Sequence, residues 1–137
     1  MKKEDNFLSW FENLDRQSLS QIDEFYAQNS FFKDPFNEFE GIEKIKQVFN
    51  HMFDKLEDPR FLFIDKIKGE ESLFVTWDFL FVLGNKKYKI HGSTLVKYDE
   101  EGKINYHRDY WDVGEELLLQ IPIIKNLYKV FQNKLKV

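Results

Sequence analysis

Four runs decide how this chain reads: FLFIDKIK at Phe61–Lys68, LFVTWDFLFVL at Leu73–Leu83, YKIHGSTLVKY at Tyr88–Tyr98 and KINYHRDYWD at Lys103–Asp112. Each is rich in β-branched and aromatic residues and has the length of a strand. Gly69-Glu70, Gly84-Asn85 and Glu101-Gly102 separate the runs at hairpin spacing, so they predict an antiparallel meander. Upstream the period becomes helical. Ile42, Ile45, Phe49, Met52, Phe53 and Leu56 follow Gly41 at helical spacing, and Asp58-Pro59 is expected to end that helix. Phe7, Trp10, Phe11 and Leu14 predict a shorter helix before it. Leu19, Ile22, Phe25 and Tyr26 predict another, with Ser18 and Gln21 in a capping-box pattern. Ser30 to Asp34 reads as a short strand stopped by Pro35. Helices followed by a meander place the chain in the α+β class, with helices laid on one face of a curved sheet.

Length and composition bound the function classes. The 137 residues suffice for one domain. The absence of cysteine excludes disulfides, thiolate nucleophiles and Cys-ligated zinc, and it suits a reducing cytosol. A net charge of −4 argues against general nucleic-acid binding, which needs a basic surface. Met1 to Asp5 is charged and leads into no apolar run of membrane-spanning length, so neither a signal peptide nor a spanning helix is expected and the expected location is cytoplasmic. Fifteen Phe, six Tyr and three Trp make 18% of the chain aromatic, which fits either a phenylalanine-heavy core or a pocket walled by rings.

Past Gly114 the chain reads as helical again. Leu117, Leu118, Ile121, Ile124, Leu127, Tyr128, Phe131 and Leu135 form an apolar stripe interrupted by Pro122. Lys125, Lys129, Lys134 and Lys136 supply the polar face, with no acid after Glu116. The reading divides the chain into a domain over residues 1–113 and an amphipathic tail over residues 114–137. Either the tail packs on the domain and caps its pocket, or it makes peripheral contact with an anionic membrane.

Four local features carry a resemblance to a known family. They are Phe32-Lys33-Asp34-Pro35, Gly41-Ile42-Glu43-Lys44-Ile45 opening the long helix, the Lys97–Ile104 hairpin, and Tyr110-Trp111 near the end of the last run. In this order they resemble the nuclear-transport-factor-2-like superfamily, in its SnoaL-like and ketosteroid-isomerase-like branch, over residues 5–113. The resemblance implies a cone-shaped α+β fold (also called cystatin-like), a pocket for a small apolar molecule, and a homodimer formed through the outer sheet face. Thr76, Leu80, Tyr106, Arg108 and Tyr110 are the candidates for that face. It also implies acid–base chemistry without a cofactor. The isomerases' general base falls at Asp34, and their two oxyanion donors, a tyrosine and a protonated acid, fall at Trp10 and Thr94. The base position is kept and both donors are changed, so steroid isomerisation is not expected.

Strand periodicity adds the rest of the expected pocket. Val75, Trp77, Phe79 and Phe81 share one face of their strand, and His107, Asp109 and Trp111 share one face of the last, which the resemblance to the isomerases implies is the concave one. Asp34, His107 and Asp109 are therefore the candidate catalytic residues, with Trp10, Val75, Trp77, Phe79, Phe81, Thr94 and Trp111 as candidate pocket wall. Asp34 would abstract a proton from an apolar carbonyl-type or epoxide-like substrate, partnered by the His107–Asp109 pair. Other roles stay open: Asp34 can close an Asx-type turn, and His107 with Asp109 can be a buried structural pair. Asp34, His107 and Asp109 resemble a facial metal triad in ligand type, but no second imidazole joins them and no metal is expected. The chain thus reads as an isomerase, hydratase or cyclase. The alternatives are a non-catalytic carrier or sensor of an apolar ligand, and an adaptor working by dimerisation or membrane contact.

Overall fold

A computed structural model describes residues 2–137. The apolar spacing of the first residues becomes α1 (Lys3–Glu12), whose Phe7, Trp10 and Phe11 are buried. The second predicted helix differs. Ser18–Glu24 is a 3-10 segment, opened by Asp15 rather than by a Ser18 cap: the Asp15 carboxylate accepts the Ser18 N–H at 2.7 Å. Tyr26 does not belong to it but opens the strand β1 (Tyr26–Lys33). A three-residue strand β2 (Glu38–Glu40) returns antiparallel to β1.

The long helix α2 (Ile42–Lys55) runs as predicted and buries Ile42, Ile45 and Phe49. Gly41 precedes it at φ +113°, a conformation that favours glycine, and its N–H reaches the Ser30 carbonyl at 2.9 Å, tying the helix start to β1. The helix stops at Leu56, but Asp58 and Pro59 do not follow it as a loop. They lie within β3 (Glu57–Lys68), where Asp58 adopts φ +48° and the register slips between Glu57 and Arg60. Proline is tolerated there because β3 is an edge strand with no neighbour on its far side.

Then β4 (Ser72–Leu83), β5 (Lys86–Tyr98) and β6 (Ile104–Tyr110) complete the meander. The six strands form one sheet in the order β2-β1-β6-β5-β4-β3, with β1 parallel to β6 and the other pairs antiparallel. The sheet's inner face and α1 and α2 share a core in which Phe11 meets Phe61 edge-on at 4.8 Å and Phe49 at 5.7 Å. Burying each such ring stabilises the fold by roughly 1.5–3 kcal/mol.

After β6, Asp112 caps a short helix α3 (Val113–Glu116) by accepting the Gly114 and Glu115 N–H groups. A 3-10 turn (Leu118–Gln120) and α4 (Pro122–Leu135) follow. The β5–β6 ladder begins only at Ser93–Tyr110, which leaves the earlier part of β5 without that neighbour. The tail covers this stretch: Glu116 accepts the His91 N–H at 2.7 Å, and Lys86 donates to the Gln120 carbonyl at 2.7 Å. The helix α4 itself has no buried residue among those described. It rests on the domain through the Tyr128 ring, which occupies the space a Cβ at Gly114 would need.

Candidate functional site

The inner face of the sheet and the side of α2 turned towards it enclose a cavity of about 150 Å³. Its wall is aromatic (Phe32, Phe49, Phe61, Trp77, Phe79, Trp111) and aliphatic (Val48, Met52, Ile90), with two carboxylates, Asp34 and Asp109. An open groove along Lys33–Pro35 and Arg108–Asp112 shares Asp34, Asp109 and Trp111 with the cavity, so these three stand at its mouth. Phe36, exposed at the rim, packs edge-on against Trp111 at 5.6 Å. A cavity of roughly 150 Å³ takes one ring of benzene size, whereas pockets for larger ligands begin at about 300 Å³.

Behind Asp109 runs a chain of hydrogen bonds from four different elements. Asp109 Oδ1 accepts from the Thr94 hydroxyl at 2.6 Å and from His107 Nε2 at 2.8 Å. The Thr94 oxygen in turn accepts the Trp77 indole N–H at 2.8 Å. Tyr26 Oη lies 2.7 Å from His107 Nδ1. Because a carboxylate can only accept, Nε2 carries the hydrogen, and in the tautomer with its proton there Nδ1 accepts the Tyr26 O–H. Burial first, and then the negative charge of Asp109, holds the Tyr26 phenol protonated well above its ordinary range, so this donor is present throughout neutral pH. Asp109 Oδ2 takes part in none of these bonds, and Asp109 forms part of the cavity wall.

The structure thus distributes the expected residues differently from strand periodicity alone. His107 is on the inner face but entirely buried, enclosed by the rings of Phe11, Tyr26 and Phe32. It acts on Asp109 and does not reach the cavity. Trp77, Phe79 and Trp111 line the wall; Trp10, Val75, Phe81 and Thr94 lie outside it. The Trp10 N–H is held by the Ser18 carbonyl at 2.8 Å, and the Thr94 hydroxyl is held by Asp109. Neither is free to donate to a ligand oxyanion. Val75 is core, and Phe81 stacks with Tyr88 further along the sheet.

Asp34 closes an Asx-type turn: its Oδ1 accepts the Phe36 and Asn37 N–H groups at 2.8 and 2.7 Å and the Asn37 side-chain amide at 3.1 Å. The turn fixes the carboxylate at the mouth and leaves its Oδ2 with a single longer bond, 3.2 Å to the same amide. Among the described residues no group of three His, Cys, Asp or Glu side chains is placed to hold a metal ion; both His107 nitrogens are already engaged. Two residues that sequence reading passed over complete the site. Tyr26 sits at the start of β1, and Gly92 lies opposite Trp77 in the ladder, where a Cβ would run into the indole.

Comparison with known proteins agrees with this architecture. A family model described as a SnoaL-like domain matches residues 7–107. An NTF2-like protein of unknown function from Burkholderia pseudomallei superposes with a TM-score of 0.73 at 13% identity, covering 88% of this chain and 98% of that one. An LEH-like epoxide hydrolase of M. tuberculosis gives 0.69 at 14%, covering 91% and 92%. A Catenulispora acidiphila protein with a ketosteroid isomerase-like fold, in complex with trimethylamine, gives 0.66 at 14%, covering 82% and 85%. At these identities the likeness is one of fold. No curated protein matches the chain in sequence.

Proposed function

This chain belongs to the family of SnoaL-like domains, and from that premise we propose that it hydrates a small, single-ring, largely apolar epoxide, with Asp109 as the general base. The observation that carries the reading is the set of partners of Asp109. One carboxylate oxygen is fixed by Thr94 and His107, each supported from behind by Trp77 or Tyr26, while the other takes part in none of these bonds, and Asp109 lines an apolar cavity. A positioned base of this kind contributes roughly 10²–10⁴-fold to a proton transfer.

In the proposed step a water between Asp109 and the substrate gives its proton to Asp109 Oδ2. Its oxygen bonds to a ring carbon, the carbon–oxygen bond of the epoxide breaks, and the released alkoxide takes a proton from water at the mouth, beside Asp34. Solvent then removes the proton from Asp109, and the product is a vicinal diol. His107 is a positioning residue in this scheme.

Hydration is favoured over carbonyl isomerisation because the oxygen of an opening epoxide can be protonated at once by water at the mouth, whereas an enolate must be held as an anion until it is reprotonated on carbon. An enolate needs hydrogen-bond donors aimed at its oxygen. Those of Trp10, Trp77 and Thr94 are committed elsewhere, which leaves the Trp111 indole as the donor of the described wall. The cavity's volume also favours single-ring over fused-ring substrates. The M. tuberculosis neighbour, named as an epoxide hydrolase, lends the reaction class plausibility through fold alone. The test is a panel of cyclohexene oxide, styrene oxide and a fused three-ring epoxide, with diol measured by gas chromatography. Conversion confined to the single-ring members is expected; failure to convert either of them would overturn the proposal.

A further inference from the structure

The helix α4 presents a contiguous apolar face to solvent. Ile123 and Leu135 are each 85% exposed, Leu127 63%, Phe131 60% and Val130 51%. Ile123, Leu127, Val130 and Phe131 recur at i, i+4, i+7 and i+8, so they share one side of the helix, and Leu135 extends it by a turn. Lys125, Lys129 and Gln132 lie on the opposite side. Lys134 falls within the apolar arc in the last turn, and Lys136 just beyond it. Their aliphatic stems can lie along apolar surface while the ammonium groups reach a polar layer.

Charge is segregated in the same way. Residues 117–137 carry four lysines and no acid, so this segment holds +4 and the rest of the chain −8 of the net −4. At about 1.5 Å per residue the 14-residue helix is roughly 21 Å long, short of the ~30 Å needed to span a bilayer, and no described helix is long and apolar enough to cross one.

We infer that α4 is an in-plane anchor that lays its Ile123–Leu127–Phe131 face on an anionic lipid bilayer. An exposed apolar face with lysines around it, on a segment free of acids, is what an interfacial helix requires. The charge pattern also selects the anionic lipid surface over a protein groove: the cationic helix is drawn to the bilayer while the acidic body is held off it. No residue of α4 is part of the buried core, so the helix can dock without disturbing it. This inference does not depend on the reaction proposed above, and its test reads binding alone.

The test is co-sedimentation of the full chain with vesicles of phosphatidylcholine alone or with 30 mol% phosphatidylglycerol. The chain is expected to pellet with the anionic vesicles, to stay in solution with the neutral ones, and to be released by high salt. Lys125→Gln with Lys129→Gln should lower partitioning about 30-fold, from roughly five-fold per lysine. Leu127→Glu with Phe131→Glu, both at exposed positions, should abolish it at unchanged thermal stability. Three results would overturn the inference: no pelleting with anionic vesicles, equal pelleting of the Leu127→Glu/Phe131→Glu variant, or a dimer that this variant converts to monomer. The last would assign the face to a second copy of the chain.

Discussion

Asp109 can be removed in two ways that the structure predicts to differ sharply. Asp109→Ala deletes the acceptor for two hydrogen-bond donors, the Thr94 hydroxyl and the His107 Nε2–H. A buried donor left without a partner costs about 1–3 kcal/mol. The Asp109 side chain is 16% exposed at the mouth, so water can meet one of the two donors, and the expected loss is about 2–4 kcal/mol. Asp109→Asn keeps the Oδ1 acceptor for both donors and puts its amide nitrogen in the place of Oδ2. Replacing charge-assisted bonds by neutral ones roughly halves them, a loss of about 1 kcal/mol. The assay is equilibrium urea unfolding followed by tryptophan fluorescence, with the indole of Trp77 one hydrogen bond removed from the mutated site. If the alanine variant loses less than the asparagine variant, or if the two lose equally, Asp109 is not the hub of this chain of bonds.

Three further outcomes follow from the same geometry. Tyr26→Phe leaves the buried Nδ1 of His107 without its donor, a loss of about 1–3 kcal/mol at neutral pH in urea unfolding. Because the folded Tyr26 phenol ionises well above its unfolded value, the unfolded chain releases this proton first. The associated stability is full below about pH 10 and falls as pH rises beyond it, so urea midpoints between pH 9 and 11 should fall less steeply in Tyr26→Phe than in the parent. Gly92→Ala drives a methyl group into the Trp77 ring; it should cost about 1–3 kcal/mol and reduce binding of single-ring ligands by displacing the indole into the cavity, read by thermal shift and fluorescence titration. Trp10→Phe loses the bond to the Ser18 carbonyl, about 1 kcal/mol, yet should leave ligand binding unchanged because Trp10 lies outside the cavity wall.

Much of the fold is legible in the sequence because its long elements have strong periods. The α2 stripe buries Ile42, Ile45 and Phe49 and half-buries Met52, Phe53 and Leu56, and the inward set of β4 buries Val75, Trp77 and Phe81. The departures have local physical causes. Tyr26 sits at helical spacing from Leu19 and Ile22, but the 3-10 segment ends at Glu24, and the β1 register shifts between Tyr26 and Phe31. The helical period therefore marks Tyr26 as an apolar position but assigns it to the wrong element. Asp58-Pro59 is a breaker signal that an edge strand absorbs through a bulge. Alternation groups His107 with Asp109 and the family resemblance turns that face inward, but neither could show that Phe11 and Tyr26, distant in sequence, would close over the imidazole. The Asp34 turn was readable from Asp-Pro itself; its second role, as a fixed carboxylate at the mouth of a cavity, required the fold. The polar chain behind Asp109 joins β1, β4, β5 and β6, and no local pattern encodes a contact between strands that meet only in the sheet.

The most direct test of the central claim compares the wild-type chain and Asp109→Asn on cyclohexene oxide, measuring binding by fluorescence quenching of Trp77 and Trp111 and turnover by diol formation. If Asp109 is the base, binding stays within about three-fold while diol formation falls by roughly 10²–10⁴. Diol formation by Asp109→Asn at the wild-type rate would contradict the account.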